Sequence, residues 1–201
     1  LATLPSLIAS RLALTTVQGP EGDLRTSAAY RVESSEGALS VALPPGAELQ
    51  TVRVDGRPVR QVEELPESAG LRVSLPSGAG SEPVVVELEY QSPARSARSR
   101  GAWAPPRLLE KGVVQEALWE VSLPWNRAVV GVPPGWSDEN RWHWETYVWK
   151  RQPRKSPVEL ADWVGLPASS PRRTGGSGFG PGSLADYHGY LFGTPGDPAP
   201  L

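Results

Sequence analysis

Two short pairs of side chains have the residue types that bind metal ions or transfer protons. His143 lies two residues before Glu145, and Asp186 lies two residues before His188. Each pair supplies two ligands, whereas zinc sites take three or four from the protein, and the sequence places no third ligand beside either pair. The chain has no cysteine, which excludes thiolate metal sites and disulfide bonds. We therefore expect no metal ion and no other cofactor.

Carboxylates within a tryptophan-rich segment point to a different chemistry, the hydrolysis of glycosidic bonds. That reaction needs two carboxyl groups on opposite sides of a sugar, and the candidates are Glu110, Glu116, Glu120 and Glu145. A chain with 22 acidic residues offers such pairs by chance, and strand alternation places Glu120 on an outer, solvated face. The sequence also lacks the Gly-x-Ser-x-Gly motif and the P-loop motif. We predict that the chain is not an enzyme.

Tryptophan is the residue type that most favours a binding role. The segment 141–150 contains three of the eight tryptophans and a tyrosine. As a single strand, it places Trp142 and Trp144 on one face and Tyr147 and Trp149 on the other, so that one face serves the core and the other a partner. Tryptophan builds subunit interfaces and also stacks on sugars. We favour other protein subunits as the partner, with carbohydrate as the alternative.

The composition restricts the class of partner further. With 22 acidic and 20 basic residues the net charge is −2, which argues against nucleic acid because phosphates bind basic surfaces. No apolar run reaches the 18 or so residues of a membrane span, so we expect membrane association only through segments outside this chain. The chain begins at Leu1 and has no methionine, which indicates a processed product or a fragment. The expected partners are other protein subunits or the rest of a parent chain.

The elements that position these residues are mostly β-strands. In the first half of the chain, short stretches of alternating apolar and polar residues are separated by glycine, proline and acidic residues. Asp55-Gly56 is the clearest hairpin signal, because both residues tolerate the positive φ angles of a type I′ turn. We predict an all-β fold, an antiparallel immunoglobulin-like β-sandwich with a tryptophan-rich subdomain and one or two short helices.

Four regions follow from these patterns. Residues 1–92 form the predicted sandwich domain, and residues 93–112 lack apolar periodicity and are predicted to be a linker or a crossing loop. Residues 113–165 form the tryptophan-rich β portion, which includes a short helix over 156–164. The remaining region, residues 166–201, is predicted to be an extended arm rich in glycine and proline.

Local signals support the helix and an anchor for the arm. Ser156 and Glu159 have the spacing of a capping box, and Pro157 suits the first helical position. The arm contains a short aromatic segment that we expect to dock on its own body or on a neighbouring subunit. With the tryptophan-rich segment, the predicted interaction residues are Trp142, Trp144, Tyr147, Trp149, Tyr187, Tyr190 and Phe192.

Several strand-and-turn stretches also carry a resemblance. They are Arg25-Thr-Ser-Ala-Ala-Tyr-Arg-Val32, Leu39-Ser-Val-Ala-Leu-Pro-Pro-Gly-Ala47, Val52-Arg-Val-Asp-Gly-Arg-Pro-Val59, Val86-Glu-Leu-Glu-Tyr90, Gly131-Val-Pro-Pro-Gly-Trp136, Asp138-Glu-Asn-Arg-Trp142 and Tyr147-Val-Trp-Lys-Arg151. Together they resemble a β-sandwich module of large cell-envelope or membrane-anchored proteins of high-GC bacteria, over most of residues 10–165. The resemblance implies an extracytoplasmic location, in the periplasm or cell envelope, and a sandwich architecture. It implies no functional residue.

Overall fold

The computed structural model of the protein describes residues 7–34, 37–59, 62–65, 70–76, 82–93, 103–109, 112–167 and 187–198. Within these segments the chain is mostly β, as predicted, with one helix. In chain order the elements are β1 (Leu7–Gln18), β2 (Leu24–Ser34), β3 (Ala38–Ala42), β4 (Glu48–Val54), β5 (Arg57–Pro58), β6 (Glu63–Leu65), β7 (Gly70–Ser74), β8 (Val84–Ser92), β9 (Arg107–Leu108), β10 (Gly112–Val114), β11 (Glu116–Pro124), β12 (Ser137–Asp138), β13 (Asn140–Glu145), β14 (Val148–Pro153), α1 (Pro157–Val164) and β15 (Tyr187–Pro195).

Nine strands form one large sheet around the long strand β1. Their order is β12-β15-β11-β1-β2-β8-β4-β5, and β10 also pairs with β1. Strand β1 runs antiparallel to β2 but parallel to β10 and β11, with Leu12 opposite Ala117. Every other strand pair in the described segments is antiparallel. Within the described segments the predicted antiparallel arrangement therefore holds except at β1, where two distant parts of the chain run side by side.

A smaller sheet of four strands, in the order β6-β7-β3-β9, shares a hydrophobic core with the large sheet. Leu12, Leu14 and Tyr30 of the large sheet and Leu39 and Val41 of the small one belong to the same buried cluster. These apolar residues alternate with others along their strands, which directs them to one face. A core between two sheets fits a β-sandwich. The finer prediction of an immunoglobulin-like topology is not confirmed by this strand order.

The predicted hairpin at Asp55-Gly56 is confirmed. Asp55 and Gly56 have φ angles of 49° and 75°, and they connect Val54 to Arg57, which are opposite each other in the ladder. The Asp55 carboxylate also accepts a hydrogen bond from the Val85 backbone N–H at 2.9 Å. The turn is thereby held against the neighbouring strand β8 as well as by its own backbone.

Helix α1 packs on the face of the large sheet opposite the small sheet. Its buried residues Leu160, Ala161 and Val164 meet the alanines Ala13 and Ala29 in a second hydrophobic cluster. Alanine at these strand positions leaves room for the helix to approach the sheet closely. The partly buried tryptophan of the helix also packs against this cluster. With eight residues, α1 is too short to cross a membrane, and no longer apolar helix is present in the described segments.

The predicted capping box at the start of α1 is confirmed. The Glu159 backbone N–H donates to Ser156 Oγ at 3.3 Å, and the Ser156 backbone N–H donates to the Glu159 carboxylate at 2.7 Å. The second bond lowers the pKa of the Glu159 carboxyl group. Gly165 ends the helix with a φ of 84°, in the left-handed conformation that glycine adopts without strain.

The aromatic part of the predicted arm is a strand of the large sheet. β15 pairs with β11 along its whole length and with β12 near its end. Leu191 and Phe192 are buried on its opposite faces, in the two different hydrophobic clusters. Residues 187–195, predicted as part of the extended arm of residues 166–201, are instead a strand of the large sheet. The aromatic segment therefore contacts its own chain, which is one of the two alternatives expected for it. Residues 168–186 and 199–201 lie outside the described segments.

The capping box yields a prediction about stability. Ser156→Ala removes the side-chain oxygen that accepts the Glu159 N–H, and loss of an N-cap of this kind costs about 1 kcal/mol in the free energy of unfolding. Urea denaturation at neutral pH measures the loss. Ser156→Asp is the matched control, because aspartate caps as well as serine and should keep the wild-type midpoint. An alanine variant as stable as the aspartate variant would contradict the assignment.

Candidate interaction site: an aromatic hairpin and two grooves

The tryptophan-rich segment 141–150 belongs to a hairpin, and the prediction of a single strand is wrong. β13 and β14 pair antiparallel, with Glu145 opposite Val148, and they form a two-stranded sheet of their own. The turn consists of Thr146 and Tyr147. Thr146 has a φ of 56°, and the Tyr147 N–H donates to the Glu145 carbonyl at 2.6 Å. Positive φ is strained for a β-branched residue, and neither turn residue is a typical one, so the sequence gives no turn signal here.

The hairpin brings all three tryptophans of the segment to one face. Residues opposite each other in an antiparallel pair project to the same side, and Trp144 is opposite Trp149 while Trp142 is opposite Arg151. The prediction that Trp142 and Trp149 lie on opposite faces is therefore wrong, because the turn reverses the alternation. The rings of Trp144 and Trp149 meet edge to face with centroids 5.5 Å apart.

All three of these tryptophans are exposed, and none of them is buried in the core. Trp142, Trp144 and Trp149 are 57% to 63% accessible, and Tyr147 at the turn is 84% accessible. An indole ring buries more apolar area than almost any other side chain, so leaving three of them in water has a cost in free energy. We call the hairpin of residues 140–153, with these side chains, the aromatic hairpin.

Its base is held to the large sheet by Asn140. The buried side chain of Asn140 accepts a hydrogen bond from the Leu191 N–H at 2.9 Å and donates one to the Leu191 carbonyl at 3.0 Å. The Asn140 side chain thereby takes the place of the backbone groups of a neighbouring strand beside Leu191. It does so where the chain passes from β12, which pairs with β15, into β13. Asn140 also donates from its backbone and side chain to Asp138. The sequence reasoning missed this anchor, although Asp-x-Asn between apolar segments is a signal for a bend.

An ion pair supports the same base. Arg151 binds the Asp138 carboxylate at 3.0 Å, and its guanidinium lies over the rings of Trp142 and Tyr190, 5.5 and 5.2 Å from their centroids. Burial by itself raises the pKa of Asp138, but the hydrogen bonds from Asn140 and the ion pair with Arg151 outweigh it and lower this pKa. Asp138 therefore stays ionised at pH values below the usual titration range of a carboxyl group, and its ion pair with Arg151 persists at those pH values.

An aromatic groove of about 550 Å³ runs along the tryptophan face of the hairpin. One wall is the hairpin, and the other is formed by β15 and the segment after β11. His188 joins the two parts of this second wall, because its ring contacts those of Trp125 and Tyr190 at 5.0 and 5.4 Å, while its Nε2 contacts the Arg127 carbonyl. Among the residues that line this aromatic groove are Trp125, Val130, Trp142, Trp149, His188 and Tyr190.

A polar cleft of about 760 Å³ lies on the other face of the hairpin, between it and the start of α1. Arg141 and His143 of the hairpin, Lys155 and Glu159 near the helix, and Glu120 of β11 all line it. Glu120 is only 8% accessible, so the expectation that it is solvated is wrong. It does point away from the main core, but the hairpin covers that side of the sheet.

The interaction residues predicted from the last segment lie elsewhere. Phe192 is fully buried and is a core residue that a partner cannot contact in this conformation, whereas Tyr190 is 7% accessible and lines the aromatic groove. Tyr187 is partly buried and lines the polar cleft. The four hairpin residues are the predicted ones that the structure brings together at a surface. The sequence reasoning did not identify the exposed loop beside them, in which Val130 is 96% accessible.

The residues proposed for metal binding and for glycoside hydrolysis are distributed over separate places. No group of three or more metal-ligating side chains occurs in the described segments. His143 and Glu145 do approach each other, at 3.5 Å, but Glu145 forms its shorter contact with Lys150, at 2.9 Å. Glu120 lines the polar cleft, whereas Glu116 lines a groove on another part of the surface. Asp186 and Glu110 lie outside the described residues.

Comparison with known proteins gives weak likenesses. No family model matches the chain, and no curated protein matches it in sequence. Among solved structures, an M1 zinc metallopeptidase from Deinococcus radiodurans is similar with a TM-score of 0.41 and 14% identity, over 73% of this chain and 38% of that one. Yeast LTA4 hydrolase has a TM-score of 0.41 and 9% identity over 73% and 26%, and Legionella pneumophila aminopeptidase A has 0.42 and 8% over 62% and 17%.

The chain therefore spans less than two fifths of each of these proteins. Likenesses of this strength establish neither an activity nor a site for the chain.

The anchor at the base of the hairpin yields a second prediction. Asn140→Ala leaves the buried Leu191 N–H without its side-chain acceptor, whereas the Leu191 carbonyl still accepts from the Glu139 backbone N–H. An unsatisfied buried group of this kind costs about 1 to 3 kcal/mol. We expect a loss of about 2 kcal/mol in urea unfolding. Arg57→Ala, at an exposed position of the Asp55-Gly56 hairpin, is the control and should change stability by about 0.5 kcal/mol or less. Equal effects of the two substitutions would show that Asn140 is not the anchor.

Proposed function

We propose that the chain is a non-catalytic interaction module of an extracytoplasmic assembly, and that it binds a neighbouring protein subunit through the aromatic hairpin. The observation that carries this proposal is the exposure of Trp142, Trp144, Trp149 and Tyr147 on one projecting element. Tryptophan, tyrosine and arginine are the residue types that dominate the binding energy of protein interfaces. A protein that leaves them in water gains their free energy only when a partner covers them.

The surroundings of the hairpin favour a protein surface as the partner. Val130 and Val132 in the loop after β11, Val148 of the hairpin and Trp125 are all exposed as well. Val130, Val132 and Trp125 line the aromatic groove together with Trp142 and Trp149, whereas Val148 lies on the other face of the hairpin. Apolar residues in this arrangement, with charged residues at the rim, are typical of the centre of an interface.

The rigidity of the base favours tight binding. Asn140 and the Asp138–Arg151 ion pair fix the orientation of β13 and β14 relative to the large sheet before any partner arrives. A binding element that is already ordered loses less conformational entropy on association. The extracytoplasmic location rests on the resemblance of the strand-and-turn stretches of residues 10–165, and it is part of the proposal.

Carbohydrate binding is the second candidate, and the composition of the aromatic groove favours it. The rings of Trp125, Trp142 and Trp149 are of the kind that stacks on sugar rings, and Asp138 and Arg151 supply polar groups between them. The polar groups of the groove already bind one another, however. Arg151 is directed to Asp138 and to two aromatic rings, which leaves fewer donors for sugar hydroxyls.

Site-specific photocrosslinking tests the proposal. Tyr147 is replaced by a photoreactive amino acid in the cells that naturally produce the chain, and Arg57, an exposed residue of the other hairpin, is the matched control position. We expect a protein adduct from position 147, none from position 57, and a decrease of about tenfold or more in the double variant Trp144→Ala/Trp149→Ala, since hot-spot truncations cost about 2 kcal/mol or more.

The opposite result has a definite form. If position 147 yields no more protein adduct than position 57, the proposal is overturned. If soluble oligosaccharides in addition shift the tryptophan fluorescence of the wild-type chain, and Trp142→Ala abolishes the shift, the carbohydrate function replaces it.

A further inference from the structure

Among the residues that the structure describes, no strand lies beside the outer edge of the aromatic hairpin. β13 pairs with β14 on one side, and in the described segments no strand pairs with its other side. Backbone hydrogen bonds outside the regular ladders are also absent there for residues 141–144, within those segments. Every second residue of β13 therefore directs its N–H and carbonyl groups outward, where they can pair with another extended chain.

The sequence of this edge is complementary to itself in the antiparallel direction. β13 contains Arg141-Trp-His-Trp-Glu145. If two copies pair antiparallel with His143 at the centre, Arg141 of each copy lies opposite Glu145 of the other. Trp142 of each copy then lies opposite Trp144 of the other. Opposite charges and aromatic pairs directly across a ladder are the combinations that stabilise it.

The hydrogen-bonding pattern agrees with this register. In an antiparallel ladder, residues that bind one neighbour alternate with residues that bind the other. Trp142 and Trp144 are two positions apart and therefore have the same orientation, as have Arg141, His143 and Glu145. In this register the two tryptophans of one copy pair only with the tryptophans of the other, and Arg141, His143 and Glu145 pair only with the same three residues. The backbone groups that point outward in one copy therefore meet backbone groups that point outward in the other.

The charges are in place before association. Lys150, which is 2.9 Å from Glu145, lowers the pKa of the Glu145 carboxyl group, so this group is ionised at neutral pH. Arg141 is exposed, and its guanidinium donates only to the Arg154 carbonyl among the described hydrogen bonds. Both side chains lie on the face of the hairpin opposite the tryptophans, which leaves the tryptophan pairs on a separate face.

The other edge of the hairpin does not have these properties. β14 reads Val148-Trp-Lys-Arg-Gln-Pro153, with two adjacent basic residues and no acidic one. Antiparallel pairing of two β14 strands brings Lys150 and Arg151 near the same residues of the second copy, and Pro153 has no N–H to donate. Arg151 is also occupied against Asp138 and Tyr190 of its own chain. The complementary edge is therefore β13.

From this we infer that the partner of the aromatic hairpin is a second copy of the chain, joined through antiparallel pairing of the two β13 strands around a twofold axis at His143. The result is a four-stranded sheet in the order β14-β13-β13-β14 that carries six tryptophans on one face. A twofold interface of this kind uses the same surface on both copies. The inference rests on the proposed function and names the partner of the same site.

Charge exchange across the twofold axis tests the register. In a dimer of Arg141→Glu, the carboxylate at position 141 of each copy faces Glu145 of the other copy. In a dimer of Glu145→Arg, the arginine at position 145 of each copy faces Arg141 of the other copy. We expect each variant to raise the dimer dissociation constant by about tenfold or more in sedimentation at low salt. An equimolar mixture of the two variants should dimerise as the wild type does, because every pair in the mixed dimer is again of opposite charge.

Two controls separate this effect from damage to the fold. The double variant Arg141→Glu/Glu145→Arg restores both pairs within one chain and should dimerise like the wild type, and Arg57→Glu changes the charge of an exposed arginine elsewhere without effect. A wild-type chain that stays monomeric up to millimolar concentration, or a mixture that associates no better than its components, overturns the inference. If position 147 still crosslinks to a different protein in that case, the proposed function stands and only the second copy is excluded.

Discussion

The parallel pairing of β1 with β11 is the contact on which the rest of the structure depends. It joins the strands of the first half of the chain to the strands that carry the hairpin, since β15 reaches the sheet only through β11. A buried polar connection reinforces it: the Trp119 indole N–H donates to Thr16 Oγ1 at 2.9 Å, and Thr16 shares a second bond with Thr26 at 3.0 Å. Trp119 thus fills the core and satisfies its one polar group, as a buried tryptophan must. Together with the short pair of β1 and β10, it attaches the tryptophan-rich half of the chain to the large sheet.

The division between buried and exposed tryptophans follows from that arrangement. Trp119 and Trp136 meet at 5.5 Å inside the main core, where β11 and the segment before β12 pack together. The hairpin tryptophans lie beyond the point where Asn140 ends the pairing with β15, on an element that no other sheet of the described segments covers. The core is complete without them, so their apolar surface remains for another molecule. This is why the proposed function rests on the hairpin and not on the tryptophan content of the chain.

Local features of the fold are predictable from the sequence, and long-range ones are not. Asp55-Gly56 and the Ser156–Glu159 capping box act over a few residues, and each forms as its residue types require. The turn at Thr146 and Tyr147 has no such residues. It forms although Thr146 is strained, and cross-strand contacts such as Trp144 with Trp149 compensate for this strain. The partners in the parallel pair are 105 residues apart in the chain, and β15 pairs with residues of β11 that are 63 to 79 residues away. No local pattern exists for contacts at these separations.

The same limit applies to the site. The hairpin residues are identifiable by their aromatic character, but their shared face follows only from the turn, and the burial of Tyr190 and Phe192 follows only from the sheet. The edge strand of the hairpin also differs in length from the other edge strands. The outermost strands of the larger sheets, β5, β12, β6 and β9, have two or three residues, which is too short a template for another chain. β13 has six residues, includes both Arg141 and Glu145, and lies beside exposed tryptophans. An edge of that length is a liability for a protein that acts alone, and it is an advantage for one that pairs with a copy of itself.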